Sequence, residues 1–154
     1  MPWSRLKEAV PRPAPTVGRI LFVNHNAYEH EYTGAEKSLY HDVCSLRNRG
    51  FDPVVLSPAE GRSTRLFRQA GVPVIIAPYE FQTAKRIIQE VDPDLVYINT
   101  IVPLRVGRAA RSLGYRIMWV VRELPAFRPE RVLWIADMAT GMVAGSRAIE
   151  RYLR

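Results

Sequence analysis

Short apolar runs alternate along the chain with longer stretches whose apolar residues recur at helical spacing. Ile20-Leu21-Phe22-Val23 is the first run. Consecutive strand residues point to opposite faces, so an unbroken apolar run indicates a strand covered on both sides. Similar runs occupy residues 53–56, 74–77, 95–98 and 117–121, and 138–143 is expected to be a sixth strand. Between them, 34–49 places Ala35, Leu39, Val43 and Leu46 on one helical stripe, and Gly50 follows as a stop. Residues 63–70 form a short helical pattern ended by Gly71, and 81–91 turns Ile87, Ile88 and Val91 to one side. The stretch 103–113 opens on Pro103, where a missing N–H costs least, and closes at Gly114. A short helix at 128–135 and a last one capped by Ser146 and running to Arg154 complete the pattern.

Strands separated by single helices imply crossover connections between parallel neighbours. The expected fold is therefore α/β: an open, doubly wound, mostly parallel six-stranded Rossmann-like sheet with helices on both faces. The 154 residues suit one domain of this kind. Residues 1–17 stand apart, because Pro2, Pro11, Pro13 and Pro15 oppose helix and sheet pairing. They are expected to form an extended, mobile lead-in with Trp3 as a surface anchor, followed by a domain at 18–154. In such sheets ligands bind at the carboxyl ends of the strands. That rule selects four loops: 24–34, 57–62, 99–103 and 122–129.

The first loop carries the most chemistry. It is long, polar and aromatic, and it leads into Gly34, Ala35 and Glu36. Without a Cβ at Gly34, a ligand can reach the N–H groups of the first helical turn, which favour phosphate. Equally, Gly34 can simply ease the entry and Glu36 complement the helix dipole. His25, Glu29, His30 and Glu31 have metal-ligand chemistry but sit on a loop with no convergent scaffold, so no metal is expected. Arg122 and Glu123 follow the fifth strand, and Asn99 and Thr100 follow the fourth. All four can meet a ligand, and the charged pair can equally satisfy each other.

Several common sites are missing. No G-x-G-x-x-G follows the first strand, and there is neither a P-loop nor a G-x-S-x-G elbow. The single cysteine, Cys44, falls inside a helix and excludes a disulfide framework.

The 22 basic and 15 acidic residues leave a net charge of +7, which favours anionic partners. Two arginine series at three-residue spacing contribute to it: Arg62, Arg65, Arg68 and Arg105, Arg108, Arg111. Each forms an arc on one helix face, either a solvated surface or a contact for an anionic membrane. No nucleic-acid-binding module is recognisable, so no nucleic acid is expected. With no secretory signal and no apolar run of spanning length, the expected location is cytoplasmic, with a peripheral place at the inner membrane face left open by the arginine arcs.

The order of these segments resembles the N-terminal domain of the family 4 (group 1) retaining glycosyltransferases of GT-B fold. Thr33-Gly34-Ala35-Glu36-Lys37-Ser38-Leu39 is similar to that family's G-G-A-E-[RK]-x-[LV] loop. Leu46 to Val55 is similar to its L-x-x-[RK]-G-[HY]-[ED]-V-x-V stretch. Ala70-Gly71-Val72-Pro73-Val74 resembles G-[VI]-x-V, and Asp92 to Thr100 resembles the P-D-[VI]-[VI]-H-[SAT]-[HN] strand. Ala144-Gly145-Ser146 resembles the small-residue turn before the last helix.

The resemblance implies transfer of a sugar from a nucleotide-sugar to an acceptor hydroxyl with retention, this domain holding the acceptor. The nucleotide-sugar is a substrate, and no cofactor is implied. Thr33, Gly34, Ala35 and Glu36 would lie near the donor phosphates. His25, Asn26, Asn99, Thr100, Arg122 and Glu123 would line the acceptor cleft. The donor-binding C-terminal domain, with its E-x7-E motif, would follow Arg154, and this half alone is expected to be inactive. One departure stands out: Val120 occupies the place of the family's W-H-V-R-E histidine, so the catalytic residues stay unassigned. A non-catalytic relative that recruits a partner or an anionic surface is the alternative, and a flavodoxin-like sensor is a third reading.

Overall fold

The structure is a computed structural model that describes residues 17–26, 32–123 and 129–154. The proline-rich segment at 1–16 lies outside the described residues. Six strands form one sheet: β1 (Arg19–Val23), β2 (Asp52–Ser57), β3 (Val74–Ile76), β4 (Leu95–Asn99), β5 (Ile117–Val121) and β6 (Gly141–Ala144). Among the described residues the helices between and after them are α1 (Gly34–Asn48), α2 (Arg62–Gln69), α3 (Phe81–Val91), α4 (Leu104–Ser112), α5 (Pro129–Met138) and α6 (Arg147–Leu153).

The apolar runs are strands because both of their faces are covered. All residues of β1 are buried, and alternation along it feeds two cores. Leu21 and Val23 join Val54, Leu56, Val96, Ile98, Trp119 and Val121 beneath α3, α4, α5 and α6. Ile20 and Phe22 join Val55, Leu39, Val43 and Phe67 beneath α1 and α2. Every strand pair is parallel, and the order is β3-β2-β1-β4-β5-β6. The chain winds outward from β1 to β3, then returns to β4 on the other side of β1. Loops from neighbouring strands diverge at that reversal, which opens a crevice between the carboxyl ends of β1 and β4.

The sequence-based boundaries hold to within a few residues, with one clear difference. The last crossover helix runs on to Met138, and β6 begins only at Gly141, not at Met138. Ala139 N–H still donates to the Ile135 carbonyl (2.8 Å), so the helical pattern extends past the predicted end. Thr140 then ties this segment to β5, its N–H donating to the Ile117 carbonyl and its hydroxyl accepting from Ile117 N–H (3.0 Å). The expected stops are in place: Gly50 and Gly114 have φ of +90° and +78°, where glycine avoids the strain a Cβ would bring. Ser146 Oγ accepts from Ile149 N–H (3.3 Å) as the cap of α6. No helix among the described residues is long and apolar enough to cross a membrane.

Candidate functional site: the β1–β4 crevice

Three side chains after β1 begin the site. Asn24 is fully buried, and its amide donates to Ser57 Oγ (3.3 Å), to Ser63 Oγ (3.2 Å) and to the Asn26 carbonyl. It thereby fastens the end of β1 to the end of β2 and the start of α2. Tyr79, behind β3, donates its hydroxyl to the Leu56 carbonyl (2.9 Å) and to the Asn24 carbonyl. Burial pushes the Tyr79 hydroxyl well above its ordinary pKa, so it stays a neutral donor.

His25 comes next, half-buried. Its Nε2 lies 3.0 Å from Asn26 Nδ2; donation from that amide makes Nε2 the acceptor and leaves the ring proton on Nδ1. Burial, and secondarily the positive charge of Arg122, lower its pKa below 6.5. Both causes disfavour the imidazolium, so His25 is neutral and able to accept a proton or hydrogen bond near pH 7. Between the lowered folded value and 6.5 the unfolded chain binds the proton more readily, so acidification through that window costs stability. An NMR titration should place the His25 ring below 6.5, and Arg122→Gln should move it part of the way back, burial being the larger cause. A midpoint at or above 6.5 in the wild type would contradict this environment.

Arg122 is the centre of the site. Its Nε donates to Asn99 Oδ1 (2.5 Å) and its Nη2 to Asp42 Oδ2 (3.2 Å). Asp42 Oδ2 also accepts from the Tyr97 hydroxyl (2.7 Å), and burial together with Asp42 raises the Tyr97 pKa. Asn99 is fully buried; its Nδ2 donates to the Ala35 carbonyl in the first turn of α1 (3.2 Å). One chain of hydrogen bonds therefore runs from α1 through Asn99 to the guanidinium. With only 17% of its side chain exposed, Arg122 is a fixed cation and not a free surface charge.

The α1 entry is built as a cap. Thr33 N–H donates to Glu36 Oε2 (2.8 Å), and Glu36 is buried. Glu36 is thus committed to its own helix start, as in a capping box. Gly34 differs: among the described residues a Cβ added there meets no heavy atom within 4 Å, so none of them requires glycine at this position. Arg62 lies 5.0 Å over the Tyr32 ring and Lys37 Nζ 5.8 Å from it. Among the described residues the helix pole, Lys37, Arg62 and Arg122 bring positive charge to this edge.

Thr100 and Glu123 shape the loop after β4. Thr100 has φ of +70°, strained for a β-branched residue. Its carbonyl accepts from Trp119 Nε1 (2.6 Å), its N–H donates to the Val120 carbonyl (2.9 Å), and its Oγ1 accepts from Val102 N–H (3.3 Å). The Glu123 carboxylate accepts from Ile101 N–H (3.2 Å) and from Arg122 N–H (3.2 Å). Glu123 thus meets Arg122 through the backbone N–H, while the Arg122 guanidinium goes to Asn99 and Asp42. Val120 is buried within β5, on the side opposite Trp119 and Val121.

The structure thus brings Asn99, Arg122 and Ala35 into contact, sets His25 in the field of Arg122, and leaves Gly34 open. Glu29 and His30, and Glu31 with them, lie outside the described residues; among the described residues no group of three potential metal ligands exists. Asp42, Tyr97, Asn24 and Tyr79 were not singled out in the sequence. Tyr97 had a signal: a half-buried strand tyrosine needs a partner for its hydroxyl, and Asp42 on the facing helix is that partner.

No family model and no curated protein matches the sequence. Solved structures do match the fold. HepE of Anabaena, in complex with UDP and glucose, superposes with a TM-score of 0.71 at 20% identity, over 87% of this chain and 40% of HepE. MurG of Acinetobacter baumannii gives 0.66 at 15% identity, over 84% and 41%. MnaA of S. aureus, solved with UDP, gives 0.65 at 18% identity, over 88% and 40%. The chain spans about 40% of the length of these structures. Its fold is that of one Rossmann-like half of a GT-B protein, an architecture that glycosyltransferases among these neighbours share.

Proposed function

We propose that this chain is the acceptor-side half of a group 1, family 4 glycosyltransferase, which moves a sugar from a nucleotide-sugar to an acceptor hydroxyl with retention. The observation that carries the reading is the Ala35–Asn99–Arg122 chain of hydrogen bonds. It fixes a guanidinium beside the positive end of α1 at the β1–β4 crevice, an arrangement suited to a pyrophosphate whose charge grows as the glycosyl bond breaks. UDP bound to HepE and to MnaA supports a nucleotide diphosphate as the leaving group. Gly34 keeps the approach to the helix clear. Asp42 positions Arg122, and His25 is the neutral imidazole left at this edge where Val120 replaces the family's histidine. The acceptor is a hydroxyl-bearing glycan, lipid or small molecule.

The test is an assay of the whole gene product against a panel of nucleotide-sugars, reading nucleotide release and the anomeric configuration of the product. Retention is expected, and Arg122→Gln should lower kcat/KM roughly 100-fold, the usual effect of removing one donor to developing charge. Inversion, or an unaffected Arg122→Gln variant, would overturn the reading. Tight binding of UDP by the 154-residue chain alone would overturn the division of labour between two halves. The second reading, a non-catalytic relative, draws on Val120; it wins if the whole gene product releases no nucleotide from any donor.

A further inference from the structure

The two arginine arcs look alike in the sequence and differ in the structure. On α2, Arg68 donates to both carboxylate oxygens of Glu60 (2.7 and 2.6 Å), Arg62 stacks over Tyr32, and Arg65 feels the Glu60 charge. That arc is engaged by its own neighbourhood. On α4, Arg105, Arg108 and Arg111 are all exposed, and among the described residues none of their guanidiniums has a hydrogen bond or an ion pair.

These three arginines line a groove of about 970 Å³ between α4 and α5. Arg131 and Trp134 line it from α5, and Asp137 is the one carboxylate among the lining residues. Apolar side chains here are unusually wet: Trp134 and Val102 on the groove are 55% and 49% exposed, and Leu133, next to Trp134 on α5 but outside the groove lining, is 72% exposed. Four arginines against one carboxylate call for an anionic partner. A soluble anion would satisfy the guanidiniums and leave the indole and Leu133 in water. An apolar protein surface would cover the indole and bury the arginines without counter-charges, which is costly. A bilayer with anionic headgroups meets both demands at once, since tryptophan favours the headgroup level and arginines are held at a negative surface.

We propose that the α4–α5 face docks on an anionic phospholipid bilayer. This goes beyond the sugar-transfer reading and does not depend on it. The geometry joins the two surfaces, however. Val102 and Pro103, on the groove, belong to the loop that leaves β4 at the crevice. Arg131 Nη1 donates to the Ile101 carbonyl of that loop (3.3 Å), and Glu123 accepts from Ile101 N–H. Docking would hold the crevice close to the headgroup plane.

Co-sedimentation of the 154-residue chain with phosphatidylcholine vesicles, with or without phosphatidylglycerol, tests this at two salt concentrations. Binding is expected only with phosphatidylglycerol and should weaken with salt. The triple variant Arg105→Gln, Arg108→Gln, Arg111→Gln should lose roughly 100-fold in partitioning, about fivefold per arginine. The control triple Arg62→Gln, Arg65→Gln, Arg68→Gln should stay close to wild type. Tryptophan quenching by brominated acyl chains, lost in Trp134→Ala, is an independent readout should the triple variant misfold. Equal binding to pure phosphatidylcholine, equal loss in both triples, no quenching, or full displacement by millimolar inorganic phosphate would each overturn the proposal.

Discussion

Asp52→Ala should destabilise the fold by about 3–5 kcal/mol, because it removes the carboxylate paired with a buried guanidinium. Arg19 Nε donates to Asp52 Oδ2 at 2.6 Å, and each side chain is only 6% exposed. Arg19 Nη1 also donates to the Val91 carbonyl (3.2 Å), and its N–H donates to Asp94 Oδ2 (2.7 Å). The pair therefore fastens β1, β2 and the end of α3 at the amino edge of the sheet. Removing the carboxylate takes about a third of the stability of a typical domain, and roughly 10 °C from the melting temperature. Glu60→Ala is the internal comparison. Its pair with Arg68 has the same 2.6 Å separation, with the side chains 57% and 43% exposed. An exposed pair is worth about 1 kcal/mol at most. Thermal melts of the two variants decide the matter: equal losses would mean that burial at Arg19–Asp52 does not set the cost. Replacing both partners by apolar residues of similar volume should recover much of the loss, since it takes both buried charges away together.

Asp52 also shows how a motif can be read correctly in place and left open in meaning. It falls at the [ED] position of the R-G-[HY]-[ED] stretch, part of the order that resembles the glycosyltransferase domain. Its place, at the amino end of β2 and opposite the crevice, makes it a fold residue. The layered sheet was legible because double burial leaves a plain mark: Leu21 and Phe22 serve different cores, so no polar residue interrupts the run. Helix stops were legible because Gly50 and Gly114 adopt a conformation that other residues avoid. The start of β6 was harder. Met138 is buried as the last residue of α5, and an apolar residue looks the same whether it closes a helix or opens a strand.

The site was legible by edge and not by role. Strand ends pointed to Asn99, Thr100, Arg122 and Glu123, and all four are there. What each one does depends on partners far away in sequence. The Glu123 carboxylate takes the backbone N–H groups of Ile101 and Arg122, and the Arg122 guanidinium is held by Asn99 and Asp42. Thr100 has little polar capacity left to face a ligand, because its groups shape a strained turn. Glu36 is committed to the α1 cap. The two arginine arcs had one spacing and two fates, because Glu60 reaches one of them and no described carboxylate is paired with the other. Periodicity reports which residues share a face; it does not report what stands opposite.

Gly107→Ala ties the core to that turn. Alanine is the better helix former by about 1 kcal/mol, so propensity alone predicts stabilisation of α4. The opposite sign is expected. A Cβ at Gly107 would lie 2.3 and 2.4 Å from two ring atoms of Trp119, with Ile98 Cδ1 at 3.4 Å. The ring cannot slide away freely: it is fully buried, and its Nε1 is anchored on the Thr100 carbonyl at 2.6 Å. Either α4 lifts off β4 and β5, or the indole drags the Thr100 turn with it. Overpacking of this kind costs about 1–3 kcal/mol, and a clash with an anchored ring belongs at the upper end. After the propensity gain, a net loss of about 2 kcal/mol remains, or roughly 6 °C in a melt. Trp119→Phe in the Gly107→Ala background removes the crowded ring atoms and should restore part of that loss, so the double variant should be more stable than the sum of the single effects. If Gly107→Ala melts at or above the wild-type temperature, α4 is free to back away from the sheet, and the link from helix packing through Trp119 to the strained residue at the crevice does not hold.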